Sequence, residues 1–224
     1  MPTSPTLIIF DVNETLSDMS TLAQRFGAVG APSHLATLWF ATVLRDGFAL
    51  TAAGANEDFA TLAEQNLRQL LAGELLDRGI DDAVAEVMSG FGGLDVHPDV
   101  PDGLRALHRA GKRLVTLSNG ATAVADGLLS RAGVRDLFEQ LLSVQDADRW
   151  KPASEAYAYG LAACGVDAGE AMLAAVHPWD IDGARRCGLR TAWINRSGRP
   201  YPTSFTPPEV TVDSVTALAL ALAA

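Results

Sequence analysis

A chain of 224 residues allows one large domain, or a core carrying a smaller insert, and a hydrophobic share of 48% can fill a sizeable core. The net charge of −10, with no stripe of Lys or Arg, excludes nucleic acid as a partner, because nothing would neutralise the phosphates. A small anionic substrate stays open, since it needs only local donors.

The first clear element is Leu7-Ile8-Ile9-Phe10, an apolar run too short for a helix that ends abruptly at Asp11. It reads as a strand buried on both faces, the habit of parallel sheets. Ligands bind at the carboxyl ends of such strands, which places Asp11 where chemistry happens. The next strand signal comes only at Leu114-Val115-Thr116-Leu117. Between them the periodicity predicts helices over 33–50, 57–72 and 81–89, the last ended by Gly90, Gly92 and Gly93. Residues 17–95 are therefore expected to form an all-helical cap inserted after the first strand, and 1–16 with 96–224 the core domain.

From residue 98 the pattern alternates. Helices at 101–110, 121–132, 154–165 and 181–187 lead into strands at 113–117, 141–144, 171–176 and 190–194. Val210-Thr211-Val212 precedes a C-terminal helix. This predicts an α/β fold with a Rossmann-like, doubly wound, mostly parallel sheet. The Ala/Leu-rich end from Val215 is too short to cross a membrane, and the start lacks the basic and apolar regions of a signal peptide, so a cytoplasmic protein with no membrane partner is expected. Cys164 and Cys187 do not make a disulfide framework and read as small buried apolar residues.

The polar residues that follow the strands form a constellation: Asp11 and Thr15 after the first, Ser118 and Asn119 after the second, Lys151 after the third, Asp180 after the fourth. Each has a plainer explanation. Ser118 and Asn119 would also cap the next helix. Lys151 would also be a solvated surface lysine, and Asp180 the cap of a helix beginning at Ile181. Such residues after four successive strands favour a site.

Asp11-Val12-Asn13-Glu14-Thr15-Leu16, Leu117-Ser118-Asn119-Gly120, Lys151-Pro152 and Trp179-Asp180 resemble the four motifs of the haloacid dehalogenase-like hydrolases. Leu141-Leu142-Ser143-Val144, Tyr157 and Trp193-Ile194-Asn195-Arg196 are similar to type II L-2-haloacid dehalogenases. The resemblance implies that Asp11 displaces halide from carbon and becomes an ester, covalent catalysis by a carboxylate. It implies that Asp180 positions or deprotonates the water that cleaves the ester, and that Lys151 keeps Asp11 ionised. Ser118 and Thr15 would bind the substrate carboxylate and the ester oxygen with main-chain N–H groups. Asn119 would donate to substrate or halide, and Tyr157 would orient the site. No cofactor is implied. The partner is a small organic acid, and a homodimer is expected.

The chain also departs from its likenesses. Phosphatases of this superfamily carry Asp two residues after the nucleophile as a general acid; Asn13 cannot be one. They ligate Mg²⁺ with Asp four residues before the position of Asp180, where Val176 cannot. Both losses favour carbon–halogen cleavage and no metal site. The dehalogenases place a halide-binding Arg after the Trp matched by Trp39; here Phe40 follows. Arg45 is about 500° further round the helix, about 140° away from Phe40. Ala175 and His177 replace a Ser and an Asn before Trp179. The halide donors that remain are Asn119, the Trp39 indole and His177, whose plainer role is a bond to nearby backbone. The expected activity is hydrolytic dehalogenation of 2-haloalkanoic acids. The alternatives are another hydrolase of this type, such as a phosphatase, and a silent binder of small acids.

Overall fold

The computed structural model describes residues 4–223. Leu7–Phe10 is the first strand, β1, and all four of its residues are buried. Four helices follow: α1 (Leu22–Gly27), α2 (Leu35–Ala52), α3 (Phe59–Leu71) and α4 (Ile80–Gly92). The alternating part runs α5 (Val100–Arg109), β2 (Arg113–Ser118), α6 (Thr122–Arg131), β3 (Gln140–Ser143), α7 (Ser154–Cys164), β4 (Ala171–Ala175), α8 (Pro178–Arg186), β5 (Arg190–Ile194), β6 (Val210–Val212) and α9 (Val215–Ala223).

The strands make one six-stranded sheet in the order β3-β2-β1-β4-β5-β6, and every pairing is parallel. β1 lies between β2 and β4. The chain leaves β1 towards one edge and leaves β4 towards the other, so their carboxyl ends flank a switch point, where α/β sheets open a crevice. Ile8 and Phe10 face a core with Leu104 of α5, Leu128 of α6, and Val215 and Leu218 of α9. Leu7 and Ile9, equally buried, point to the other face, as the two-residue period of a strand requires. Helix α8 packs against β4 and β5.

The chain divides into two compact units, one of residues up to Ser17 and from Asp95 onwards, the other Asp18–Leu94. The second is helical and has its own apolar centre: Trp39 meets Phe91 edge-on at 5.5 Å, and Phe59 stacks on Phe91 at 5.4 Å. Among the described residues no helix is long and apolar enough to cross a membrane.

Several boundaries differ from the sequence expectation. Helix α1 carries no prediction, because six residues are too few to display a helical stripe. Helix α4 continues through Gly90 rather than ending there. A Cβ at that position would meet the Arg25 side chain at 2.6 Å, so Gly90 serves packing, not termination. Helix α8 begins at Pro178 rather than Ile181, since proline at the first turn loses no helix bond. Val176 lies beyond β4, and Val144 opens a 3-10 turn after β3.

Candidate active site

Asp11 directly follows β1, and its N–H still donates to Ala174 O on β4 at 3.1 Å. The chain then turns back sharply, with Leu16 N–H donating to Val12 O at 2.9 Å and Glu14 in the left-handed region at φ 60°. Such a backbone costs a non-glycine residue of order 1 kcal/mol and tends to mark functional loops. The turn carries the Thr15 hydroxyl onto Asp11 Oδ2 at 2.7 Å, while Val176 N–H donates to the same hydroxyl at 3.1 Å. From behind, Arg196 donates to Thr15 O at 2.9 Å and is held by Asp99 at 2.7 Å. His97 Nε2 donates to Glu14 O at 3.0 Å.

Lys151 donates to Asp11 Oδ1 at 3.0 Å and to Asp180 Oδ2 at 2.6 Å. Its side chain and that of Asp180 are wholly buried, and that of Asp11 is 6% exposed. Asn119 fixes the backbone under this lysine: Lys151 N–H donates to Asn119 Oδ1 at 2.9 Å, and Asn119 Nδ2 donates to Lys151 O at 3.3 Å. Tyr157 on α7 donates its hydroxyl to Asp180 Oδ1 at 2.6 Å. Asp180 sits in the first turn of α8, where the helix N-terminus favours negative charge.

The electrostatics follow from this packing. Burial pushes the Asp11 carboxyl up, but the charges of Lys151 and His177 and the bonds from Thr15 and Lys151 outweigh it, so Asp11 lies below the usual range. Burial pulls Lys151 down, and the two carboxylates more than restore it, leaving it raised. Asp180 is raised, by burial first and by the charge of Asp11, against the pull of Lys151. Burial and Asp180 drive the Tyr157 hydroxyl well above its ordinary value. The arrangement is an ionised carboxylate beside a fixed ammonium, with a second carboxylate behind it that binds a proton more readily.

His177 is the residue before α8. Its Nε2 lies 3.2 Å from Asn13 O, 3.7 Å from Asp11 Oδ2 and 3.7 Å from Glu14 Oε2, and its ring stacks on Trp179 at 5.0 Å. The Trp179 ring lies 6.0 Å from Lys151 Nζ.

The structure removes the plainer explanations of the strand-end residues, whereas His177 does make its expected bond to nearby backbone, at Asn13 O. Asn119 bonds Lys151 rather than capping α6, whose start at Ala121 has no side-chain cap bond. The Ser118 hydroxyl accepts from Gly120 N–H at 2.9 Å. Lys151 is not a solvated lysine, and Asp180 lies inside its helix rather than capping it.

One expectation needs correcting, that of the Trp39 indole, and the bonds of Thr15 and Asn119 are now defined. The Thr15 hydroxyl donates to Asp11 Oδ2 and accepts from Val176 N–H, so it orients the carboxylate and stands against the oxygen at which an ester would form. The Trp39 indole donates to Ala63 O at 2.9 Å inside the helical unit, which removes it as a halide donor. The amide of Asn119 holds the Lys151 backbone through both of its ends, which uses one of its two N–H hydrogens. Phe40 is buried and rests against Phe59 at 6.3 Å, while Arg45 is 63% exposed and paired to Asp46.

Two contributors carried no clear signal in the sequence. Glu14 became visible only through its backbone and its distance to His177. Gly183 on α8 lies under Tyr157: a Cβ there would sit 2.5 Å from the Tyr157 hydroxyl and 2.7 Å from Pro152 Cβ. Among the described residues no three His, Cys, Asp or Glu side chains are grouped to hold a metal ion. Cys164 and Cys187 are free thiols, the first buried and the second partly so.

A carboxylate held below its usual range by a buried lysine at the switch point of a parallel sheet points to a class, and the comparison with known families agrees: the chain belongs to the haloacid dehalogenase-like hydrolases, whose pattern matches residues 5–188. Within that family it is 29% identical over 214 residues to (S)-2-haloacid dehalogenase 4A of Burkholderia cepacia, an alignment covering 94% of this chain and 91% of that one. It is 38% identical over 120 residues to an (S)-2-haloacid dehalogenase of Pseudomonas sp. (strain YL), a match that spans about half of each chain, 54% here and 52% there. The crystal structure of the L-2-haloacid dehalogenase RSc1362 aligns with a TM-score of 0.92 at 29% identity, over 99% of this chain and 100% of that one.

Proposed function

We propose that this hydrolase cleaves the carbon–halogen bond of small 2-haloalkanoic acids through an ester on Asp11. The observation that carries the reading is the buried Asp11–Lys151–Asp180–Tyr157 chain, in which the most exposed carboxylate is also the one held below its ordinary range. An ionised, oriented carboxylate is a nucleophile. Lys151 keeps it so and then stabilises the oxyanion of the ester-cleaving step. Asp180 takes a proton from the attacking water. Tyr157 holds Asp180 in place, and Thr15 holds Asp11.

The Ser118 hydroxyl accepts from Gly120 and keeps its proton to donate, which suits a substrate carboxylate beside main-chain N–H groups. Phe40 and Trp39 belong to the helical unit, and Trp179, whose ring lies 6.0 Å from Lys151 Nζ, is the substrate-binding candidate on the sheet unit. A general acid for a phosphate ester is missing at Asn13, and Val176 supplies no metal ligand, so dehalogenation is favoured over phosphoryl transfer. The relatives named as (S)-2-haloacid dehalogenases support the substrate class. A cytoplasmic homodimer is part of the same reading, to be checked by sedimentation.

The test is halide release from (S)- and (R)-2-chloropropionate with and without EDTA, with mass analysis of the Asp11 peptide during turnover. Release that survives EDTA, with a propionate adduct on that peptide, is expected. Turnover without any adduct, or a strict need for Mg²⁺, overturns the proposal.

A further inference from the structure

Ester cleavage ends with a step that the Asp11–Lys151–Asp180 chain does not complete. When the tetrahedral carbon collapses, the bond from Cγ to the ester oxygen breaks and a 2-hydroxy acid leaves as an alkoxide. An alkoxide is a strong base and needs a proton as it departs. The two carboxylate oxygens of Asp11 have different neighbours. Oδ1 faces Lys151 Nζ at 3.0 Å. Oδ2 faces the Thr15 hydroxyl at 2.7 Å and His177 Nε2 at 3.7 Å. A threonine hydroxyl is far too weak an acid to give up its proton, whereas imidazolium is suited to it near neutral pH.

His177 Nε2 is surrounded by oxygen: Asn13 O at 3.2 Å, Asp11 Oδ2 at 3.7 Å and Glu14 Oε2 at 3.7 Å. A carbonyl oxygen only accepts, so the nitrogen facing it carries a hydrogen. In the resting site that hydrogen goes to Asn13 O and the ring is fixed by stacking on Trp179, so proton transfer needs Nε2 to close by about 0.5 Å on the oxygen at Oδ2, now 3.7 Å away, a tightening common when a site is loaded. Glu14, with its side chain 45% exposed, connects the ring to solvent.

We infer that His177 is the general acid of the second half-reaction, protonating the departing 2-hydroxy acid at Asp11 Oδ2, with Glu14 as its proton channel to solvent. This rests on the dehalogenase reading above. Oδ2 attacks carbon and becomes the ester oxygen, and halide leaves with the C–X electron pair. Water adds to Cγ and gives one proton to Asp180, while the oxyanion forms on Oδ1 against Lys151. Collapse breaks Cγ–Oδ2; that electron pair leaves on the alkoxide, which takes the Nε2 proton of His177. The regenerated Asp11 keeps Oδ1 and the oxygen of the water. Of the water's two protons, one recharges His177 and the other passes to solvent. The assignment also reverses the expectation that His177 serves the halide, since the ring lies beside the nucleophilic oxygen.

The test uses His177→Gln, which keeps an N–H to reach Asn13 O but cannot act as an acid, with His177→Asn as a second variant should the first fail to fold. With 2-chloropropionate the wild type should release halide steadily. The Gln variant should release one halide per site at the normal rate and then turn over about 10²-fold more slowly, the lower end of general-acid effects. Its KM should fall with kcat, and the propionate ester should accumulate on the Asp11 peptide. Normal steady turnover by His177→Gln overturns the inference. So does a slow variant with neither burst nor trapped ester, because the loss then lies in binding or alkylation. A wild type that releases no halide from any 2-haloacid overturns the underlying dehalogenase reading instead.

Discussion

The two ends of the parallel sheet carry ion pairs of similar chemistry in opposite surroundings. At the carboxyl ends Lys151 lies between Asp11 and Asp180, with side-chain exposures of 0%, 6% and 0%. At the amino ends Arg113, the first residue of β2, pairs with Glu139 at 2.9 Å with exposures of 37% and 43%, beside a cavity of about 300 Å³ that both residues line. An exposed pair contributes about 0–1 kcal/mol. A buried one gives up several kcal/mol of hydration per ion and recovers it only through good geometry. The Lys151 group carries that cost in full, and the fold alone gives no reason for it. Desolvated charge here marks chemistry, and solvated charge marks surface.

The contrast can be broken in steps. Asp11→Asn has the largest expected effect: turnover falls by about 10⁴-fold or more, the scale of removing a nucleophile, while circular dichroism shows an unchanged fold. Residual activity near the wild-type level would remove Asp11 from the mechanism. Lys151→Met comes next. It leaves two buried carboxylates without their cation, so a loss of about 3–5 kcal/mol is expected, read as a fall in melting temperature of roughly 6–20 °C together with activity.

The pH dependence sharpens the same point. Asp11 lies below 3.8, so its share of stability is whole above that value and is lost as pH falls through its lower folded value. Lys151 lies above 10.5, so its share is whole below that value and is lost as pH rises through its higher folded value. Neither group should place a limb in the kcat/KM profile between 3.8 and 10.5. Tyr157→Phe removes one bond to a charged oxygen, about 1.5–3 kcal/mol, and should slow ester cleavage by roughly tenfold with halide burst intact. Arg113→Ala at the other end should change stability by no more than about 1 kcal/mol and leave kcat/KM alone. A collapse of either would erase the distinction between the two ends.

Residues whose placement follows from strand ends were legible in the sequence. Asp11 follows β1, Ser118 ends β2, and Lys151 and Asp180 come in the segments after β3 and β4, and a parallel sheet brings such positions to one edge. Direction and partner were not legible. The Trp39 indole went to Ala63 O, and the amide of Asn119 went to the backbone of Lys151, 32 residues away, choices set by tertiary packing. Thr15 was found as a site residue, but its orientation depends on the turn at Glu14, which no local rule demands of a glutamate. The start of α8 was placed three residues late, at Ile181, although Pro178 at the first helical position costs no helix bond.

The central place of β1 also affects how the chain is made. Its partner β2 begins at Arg113 and its other partner β4 at Ala171. Synthesis at about 5–20 residues per second leaves Leu7–Phe10 outside the ribosome for roughly 10–30 s before both neighbours exist. Until β2 is made neither edge of these four apolar residues can pair, and until β4 is made one edge stays open. A nascent chain is thus most adhesive at the segment that later carries the nucleophile, and a chaperone acting on this protein would find its first binding site there.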